Sequence, residues 1–260
     1  MAYADFHRII LAFILAAVRI GGAMAICPAT SSSMITGVAR RTATLAFAAL
    51  LVPYVQARMP PEGIHTLAFT LVALKEALVG FLIGFFVAIP FWIAENVGNF
   101  IDNQRGATMG EVYSPLSGTQ VSTTGIFFTQ IVSTIFFVGG AVLIFLAAVY
   151  RSYDLVPLFS DRFLAAAPDA HFFVLDTLDG MMRTTFIISA PVIILMFLAT
   201  IGLGFVNRTA PQLNVFFLSM PIKSALGVAF LIIYLQYILD MLMYTNDSAI
   251  LGPLMRIVGG

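Results

Sequence analysis

Apolar residues along the chain are gathered into six long stretches separated by more polar segments. Three of the stretches have 21 to 24 residues, which is enough for an α-helix to cross the hydrocarbon core of a bilayer. Another has only 14 residues and contains Pro53. A further stretch has 28 residues and contains Lys75 and Glu76, and the last is interrupted by Pro221 and Lys223. In chain order the stretches are Ile9–Ala29, Thr42–Val55, Leu67–Ala94, Ile126–Val149, Phe186–Val206 and Val215–Leu239.

This pattern predicts an all-α, polytopic membrane protein of about six apolar helices, some of them short or broken. Strand-like alternation of apolar and polar residues is missing, and lipid tolerates only helices and closed barrels. Interdomain linkers, low-complexity segments and internal repeats are also missing, so we expect residues 1–260 to form a single domain.

Composition supports a membrane location and excludes one large class of partner. Hydrophobic residues make up 60% of the chain and charged residues 10%, and the mean hydropathy is +0.98. Soluble domains have about 45–50% apolar and about 25% charged residues, so lipid, partner subunits or both must cover the surplus apolar surface. The 13 basic and 13 acidic residues cancel, which removes the electrostatic footprint of a nucleic-acid-binding protein.

The residue types that carry catalysis do not form a convincing set. His7, His65 and His171 lie far apart in sequence, and none belongs to a His-x-x-x-His pair. Neither a Gly-x-Ser-x-Gly nucleophile motif nor a phosphate-binding loop ending in Gly-Lys-Ser/Thr is present. Cys27 is the only cysteine, and we expect it to be a small buried hydrophobe. The sequence therefore predicts a protein that is not an enzyme and needs no cofactor or metal.

Charged residues inside the apolar stretches are costly in free energy when lipid surrounds them, so a specific environment is expected for each. Arg19, Lys75, Glu76 and Glu95 would each cost about 2.5–3.5 kcal/mol at a bilayer centre. Such residues are expected to face a partner subunit, an aqueous path or the lipid headgroups. Lys75 and Glu76 are neighbours and point about 100° apart on a helix, so they are not expected to pair.

A Gly-x-x-x-Gly motif lies beside these charges. Glu76, Gly80 and Gly84 share one helix face, and small residues at this spacing let two helix backbones approach closely. Two interpretations stay open, namely a tight helix contact within this chain and a contact with another subunit.

The apolar pattern is broken for 31 residues between Glu95 and Gly125. Glu95, Asn99 and Asp102 are spaced to give the incoming helix end one polar face. The rest of the segment is rich in glycine, serine and threonine and carries little charge. We expect a compact, pliable loop over residues 95–125 at the mouth of a helical assembly. The alternative is an ordinary solvent-exposed connection.

Two blocks of sequence resemble a known family. The first runs from Lys75-Glu76 through Gly80-Phe-Leu-Ile-Gly84 and Ile89-Pro90-Phe91-Trp92-Ile-Ala-Glu95 to Asp102-Asn103-Gln104-Arg105-Gly106-Ala107. The second is Ala210-Pro211-Gln212-Leu213-Asn214-Val215-Phe216, followed by Met220-Pro221-Ile222-Lys223-Ser224. Together they are similar to the SctT/YscT proteins of virulence type III secretion systems and to their flagellar relative FliR. The residues of the first block resemble those of the virulence branch more than those of the flagellar branch.

The resemblance implies a role that the residues alone do not name. Such a protein joins SctR-type and SctS-type subunits in a hetero-oligomeric helical complex of the bacterial inner membrane, which forms the entry channel for secreted polypeptides. A SctU-type switch protein and the needle or inner rod are further expected partners, beside membrane lipid. The family's loop matching Asp102–Ser122 helps to plug the closed channel. The candidate plug or gate residues are Asp102, Gln104, Arg105, Gly106, Gly110, Pro115 and Gly118. The candidate residues for helix or subunit packing are Glu76, Gly80, Gly84, Pro211, Asn214, Pro221 and Lys223.

Two other functions are weighed against this one. A small-solute transporter should show a binding site near mid-membrane and two related halves, and neither is visible in the sequence. A flagellar export-gate subunit of the FliR type would share the same architecture and serve a different machine.

Overall fold

The computed structural model describes residues 2–31, 34–60, 65–106, 122–160, 167–210, 212 and 214–258. Over these residues the protein consists of α-helices with one short 3₁₀ turn at Pro28–Thr30, and no strand occurs among them. The helices are α1 Ala2–Ile26, α2 Gly37–Arg58, α3 Thr66–Arg105, α4 Thr123–Val138, α5 Ala141–Leu155, α6 Ala167–Thr209 and α7 Val215–Val258. The prediction of an all-α fold is confirmed.

The helices are long and apolar enough to make this a multi-pass membrane protein. Among the described residues, five segments qualify as membrane spans by length and composition, and the bent pair α4 and α5 would be a sixth if it counts as one span. The five are Phe6–Ile26, Gly37–Arg58, Thr66–Arg105, Val174–Thr209 and Phe217–Ile238. The prediction of about six apolar helices, some short or broken, is confirmed.

The predicted single stretch Ile126–Val149 is wrong in detail, because the structure divides it into two helices. The chain bends by 71° at the break between α4 and α5. Gly140 occupies the break with a φ of 79°, a left-handed conformation that residues with a β-carbon rarely adopt. Hydropathy does not register the break, because glycine hardly lowers the apolar average of the stretch.

Helix α3 is longer than its apolar stretch, which corrects the bounds of the predicted loop. The helix continues through Pro90 and ends at Arg105, so the first part of the expected loop over residues 95–125 is helical. Residues on both sides of Pro90 are buried, and this packing holds the helix together across the missing hydrogen bond. Gly106, with a φ of 80°, ends the helix, and its N–H donates to the Asn103 carbonyl at 3.2 Å.

The chain divides into two compact units. The first unit comprises Met1–Ile89, Ile135–Phe173 and Asn246–Gly260. Its α1 packs against α2, and large buried side chains come from α1, α3 and α5, including Leu15, Phe86 and Phe145. Cys27 is buried at the end of α1, and burial raises the pKa of its thiol to about 11, so the thiol stays neutral at pH 7.

The second unit comprises Pro90–Thr134 and Val174–Thr245. The end of α3, the start of α4 and most of α6 and α7 form it. Val97, Ile101 and Phe128 are buried in this unit, and the rings of Phe100 and Phe186 lie 4.9 Å apart between their centroids. The expectation of a single domain stays a prediction.

Candidate functional site

A buried carboxylate joins the end of α3 to the start of α4. Asp102, only 1% exposed, accepts hydrogen bonds from the Ser122 hydroxyl at 2.6 Å, the Thr124 hydroxyl at 2.6 Å and the Thr124 backbone N–H at 2.9 Å. The guanidinium of Arg105, one turn further along α3, lies 2.8 Å from the same carboxylate. We call this set of four residues, Asp102, Arg105, Ser122 and Thr124, the Asp102 junction.

The Asp102 junction provides hydrogen-bond acceptors for the first backbone N–H groups of α4, and these acceptors lie outside that helix. The first N–H groups of α4 have no partner within their own helix, and an anion near them is favoured by the helix dipole. Asp102 accepts one of these N–H groups, and the Ser122 hydroxyl accepts the Gly125 N–H at 2.9 Å in the usual manner of an N-cap. The two helix ends are therefore tied together by short, charge-assisted bonds.

Near the Asp102 junction, the backbones of α3 and α4 approach each other closely at two glycines, Gly98 and Gly125. A β-carbon on Gly98 would collide with the backbone of Gly125. A β-carbon on Gly125 would meet the Glu95 carbonyl oxygen at 3.0 Å and the Asn99 side-chain oxygen at 3.2 Å. Of the polar face expected from Glu95, Asn99 and Asp102, the side chains of Asn99 and Asp102 meet the start of α4, whereas the Glu95 side chain is exposed.

The remaining candidate gate residues divide into two groups. Gln104 is half-buried in the last turn of α3, and Gly106 ends that helix beside Met220 of α7. Gly110, Pro115 and Gly118 lie outside the described residues, and so does Pro211 of the second block.

A second buried polar cluster lies in the first unit and was not foreseen as a cluster. The Arg19 guanidinium donates to Glu76 Oε2 at 2.5 Å, to the Ser152 hydroxyl at 3.0 Å and to the Val156 carbonyl at 3.0 Å. It also lies 3.8 Å from the ring centroid of Tyr153. Arg19 and Glu76 are both fully buried. We call this the Arg19 cluster.

The Arg19 cluster corrects the expectation that these charges face a partner subunit, water or headgroups. Arg19 and Glu76, which are 57 positions apart in sequence, form an ion pair inside the chain. Lys75 is also engaged, because its ammonium donates to the carbonyls of Pro157 at 2.8 Å, Ser160 at 3.4 Å and Leu158. Its nitrogen lies 3.8 Å from Glu76 Oε1, so the expectation that the two neighbours would not pair is wrong. Long side chains bridge the angular separation of their backbones.

The structure places Gly80 and Gly84 against α1 of the same chain. A β-carbon on Gly80 would collide with the Arg19 carbonyl oxygen, and one on Gly84 would collide with the Ala23 carbonyl oxygen. Gly22 of α1 is equally crowded, since its β-carbon would lie 2.8 Å from the Ala77 carbonyl oxygen. Of the two interpretations of the Gly80-x-x-x-Gly84 motif, a tight helix contact within the chain is the one that agrees with the structure. The contribution of Gly22 was missed, because its partner on α3 cannot be read from sequence spacing.

The other candidate packing residues lie at the start of α7. Asn214 precedes the helix and accepts the Leu218 N–H at 3.2 Å through its backbone carbonyl. Pro221 is exposed and Lys223 half-buried in the first turns of α7. These residues belong to the second unit and Glu76, Gly80 and Gly84 to the first, so the sequence-predicted packing residues form two groups. In the part of the chain that the structure describes, no three His, Cys, Asp or Glu side chains are placed to hold a metal ion.

Comparison with known proteins identifies the family. The model of the family described as bacterial export proteins, family 1, matches residues 10–248. The Yop proteins translocation protein T of Yersinia pestis is 37% identical over 257 residues, which cover 96% of this chain and 97% of that protein. The secretion system apparatus protein SsaT of Salmonella typhimurium is 36% identical over 178 residues, or 66% of each chain. The flagellar biosynthetic protein FliR of Bacillus subtilis is 31% identical over 176 residues, or 65% of this chain and 66% of that protein.

The fold and these similarities define a multi-pass helical membrane protein of a protein-export apparatus. The chain belongs to family 1 of the bacterial export proteins. The resemblance to the SctT/YscT and FliR proteins is confirmed.

Proposed function

We propose that this chain is a core subunit of the export gate of a type III secretion apparatus in the bacterial inner membrane. With SctR-type and SctS-type subunits it forms the entry channel through which secreted effector proteins leave the cell. The observation that carries the proposal is the collinear similarity to the Yersinia translocation protein T over 96% of the chain. The match to FliR of Bacillus subtilis covers 65% of the chain at lower identity, which favours a virulence system over the flagellar alternative.

The apolar faces of the second unit support an assembly with other subunits. Only 6% of the most apolar window of Phe217–Ile238 and 22% of that of Val174–Thr209 are buried, against 67% for α3. Large side chains on both helices are exposed, among them Phe197, Phe205, Phe217 and Ile233. Lipid and partner helices are the two materials that can cover such surfaces. SctU-type protein and the needle or inner rod are further proposed partners.

The Asp102 junction supports a gating role for the segment between α3 and α4. One carboxylate holds the last turn of α3 and the first turn of α4, so the connecting segment begins and ends at a fixed place. We assign the plug to this segment, with Asp102, Gln104, Arg105 and Gly106 at its base. Gly110, Pro115 and Gly118 complete the proposed plug by sequence.

Co-purification tests the assembly. The chain is expressed alone and together with SctR-type and SctS-type subunits, each extracted in the same mild detergent. We expect aggregation or low yield for the chain alone and a stable complex with the partners. A well-behaved monomer with native-like helix content and no partners would contradict the proposal. Secretion assays on a deletion strain, for effector proteins and for flagellar proteins, then decide between the virulence and the flagellar machine.

A conductance assay tests the plug. Deleting Gly110–Gly118 should leave the complex assembled and make the membrane permeable to ions and small solutes. The leak should require the partner subunits, because this chain alone forms no pore. Unchanged permeability, with assembly and secretion intact, would show that the segment is merely a connection.

A further inference from the structure

The side chain of Met220, near the start of α7, lies over the turn that ends α3. A β-carbon on Gly106 would be 3.6 Å from Met220 Cγ and 3.7 Å from Met220 Cε, which is van der Waals distance. Gly106 has a φ of 80° and donates its N–H to the Asn103 carbonyl, so this residue ends the helix and begins the proposed plug. The base of the plug therefore has an apolar contact with α7 as well as the polar Asp102 junction with α4.

The two contacts at the plug base differ in the elements that they connect. The Asp102 junction joins α3 to α4, the two helices that the plug itself connects. Met220 belongs to α7, which follows α5 and α6 in the chain and is not attached to the plug by its backbone. A displacement of the start of α7 would therefore act on the plug base through Met220.

The start of α7 is joined to the rest of that helix at a weak point. Pro221 follows Met220 directly, and a proline inside a helix has no N–H to donate to the carbonyl four residues earlier. Sharp changes of direction in helices occur mostly at such prolines. Residues 215–220 can therefore change their angle to the remainder of α7 without unfolding of the helix.

Helix α7 is also the candidate span that the rest of the protein buries least. Only 6% of the apolar window of Phe217–Ile238 is buried, the lowest value among the five spans found in the described residues. Further along the helix, a groove of about 360 Å³ separates α7 from α4, lined by apolar side chains that include Phe128 and Leu231. The position of α7 therefore depends on whatever covers its exposed face, because its own unit restrains it weakly.

We propose that Met220 is the positioning residue through which α7 holds the base of the plug, and that the start of α7 must move away from Gly106 for the channel to open. The contact suits this role because methionine is flexible and makes only apolar contacts, which break without leaving a buried polar group unpaired. The inference rests on the proposed function, since it concerns the regulation of the proposed plug.

A reversible disulfide tests whether the contact must open. Gly106→Cys is combined with Met220→Cys, whose Sγ would take the place of the Met220 Cγ, close enough to the new β-carbon for a bond. Cys27, the only cysteine of the chain, is buried, and the two single variants are the controls. Oxidation of the assembled complex should join positions 106 and 220 and lower secretion to the level of a deletion strain. Reduction should restore secretion, and the single variants should not respond to the oxidant.

Two results of the disulfide experiment would overturn the inference. If positions 106 and 220 form no disulfide, α7 does not contact the plug base in this way. If the disulfide forms and secretion continues, the contact need not open. A deletion strain that secretes normally would contradict the proposed function, and the regulatory role of Met220 with it, whereas the disulfide would still report the contact.

Truncation of the same side chain tests the opposite change. Met220→Ala removes the contact with Gly106 and should raise the membrane conductance of the assembled complex about tenfold, because a half-buried side chain loses most of its apolar contact. Met220→Leu keeps most of the apolar volume and should behave like the parent. Leu218→Ala, an exposed neighbour on α7, is the matched control and should change nothing. An unchanged conductance in Met220→Ala would overturn the inference, and so would a leak that appears only together with a loss of thermal stability of the complex.

Discussion

Helix α3 carries two buried carboxylates that are held in different ways. Glu76, in the first unit, is held by two cations, the fully buried Arg19 at 2.5 Å and Lys75 at 3.8 Å, and its Oε1 atom has no hydrogen-bond partner among the described residues. Asp102, in the second unit, accepts bonds at both oxygens, from hydroxyls, a backbone N–H and the partly exposed Arg105. The first arrangement depends mainly on the short ion pair with Arg19, whereas the second is spread over several hydrogen bonds.

The difference shows what each unit can tolerate. A buried ion pair is stable only while both partners are present, because the remaining charge is left uncompensated in a medium of low polarity. A carboxylate held by several dipoles loses only part of its support when one donor is removed. We infer that the Arg19 cluster is a rigid fastening of α1, α3 and the chain after α5, whereas the Asp102 junction can be altered without loss of the fold.

Breaking the ion pair should have the largest effect. Glu76→Leu leaves Arg19 unpaired and should destabilise the complex by about 3–5 kcal/mol, and Arg19→Met should cost a similar amount. The double variant should recover much of the loss, since neither charge of the buried pair remains and Lys75 keeps its three carbonyl acceptors. Thermal denaturation of the detergent-solubilised complex measures each effect. Arg58→Met is the control, because Arg58 and Asp154 form an exposed pair at 3.8 Å whose loss should cost less than about 1 kcal/mol. Single variants as stable as the parent would contradict the fastening role.

Separating α1 from α3 should rank next. Gly84→Leu forces apart two backbones that are already in contact and should cost about 3 kcal/mol, the upper end for overpacking. Gly37→Leu, at the start of α2 in the same unit, is the matched control, because a β-carbon on Gly37 meets nothing within 4 Å. The yield of the complex and its secretion activity should fall for Gly84→Leu alone. Normal assembly of that variant would show that α1 and α3 do not pack in this way.

Removing the carboxylate of the Asp102 junction should destabilise the complex less than the two changes above, but it should make the membrane more permeable. Asp102→Ala removes three accepted bonds and leaves Arg105 without its carboxylate, at a cost of about 1–3 kcal/mol. The complex should still assemble, and its membrane conductance should rise because the base of the proposed plug is released. Asn103→Ala, an exposed neighbour on the same turn, should change neither quantity. A sealed membrane in the Asp102→Ala strain would separate the junction from gating.

The smallest effect is expected when a single donor to Asp102, the Ser122 hydroxyl, is removed and the rest of the junction is kept. Ser122→Ala removes the N-cap of α4 and one of the bonds to Asp102, and should cost about 1 kcal/mol. Thr124 still donates twice to Asp102, so conductance should stay near that of the parent. A leak as large as that of Asp102→Ala would mean that the junction acts as a single cooperative unit.

Much of the fold was readable from composition and spacing, because a bilayer imposes helix on any long apolar segment. The spans near Ile9–Ala29, Leu67–Ala94 and Phe186–Val206 correspond to α1, α3 and α6. The Gly80-x-x-x-Gly84 motif and the polar face ending at Asp102 were visible for the same reason, since helix periodicity fixes which residues share a face. The family was equally visible in the two sequence blocks.

Other features depended on contacts between residues distant in sequence. No local pattern shows that Arg19 reaches Glu76 and Ser152, or that Asp102 binds the start of α4 across the intervening segment. The true start of the loop, after Arg105 and not at Glu95, was missed, because packing on a neighbouring helix outweighs the local loss of hydrophobicity. The bend at Gly140 was also missed, because it depends on a single backbone angle that an average of hydropathy over the stretch does not reflect. The sequence by itself determined which segments are helical and apolar, since that depends on each residue and its solvent. Which charges are paired and which helix ends are joined was decided only by the tertiary structure, since that depends on where other segments lie.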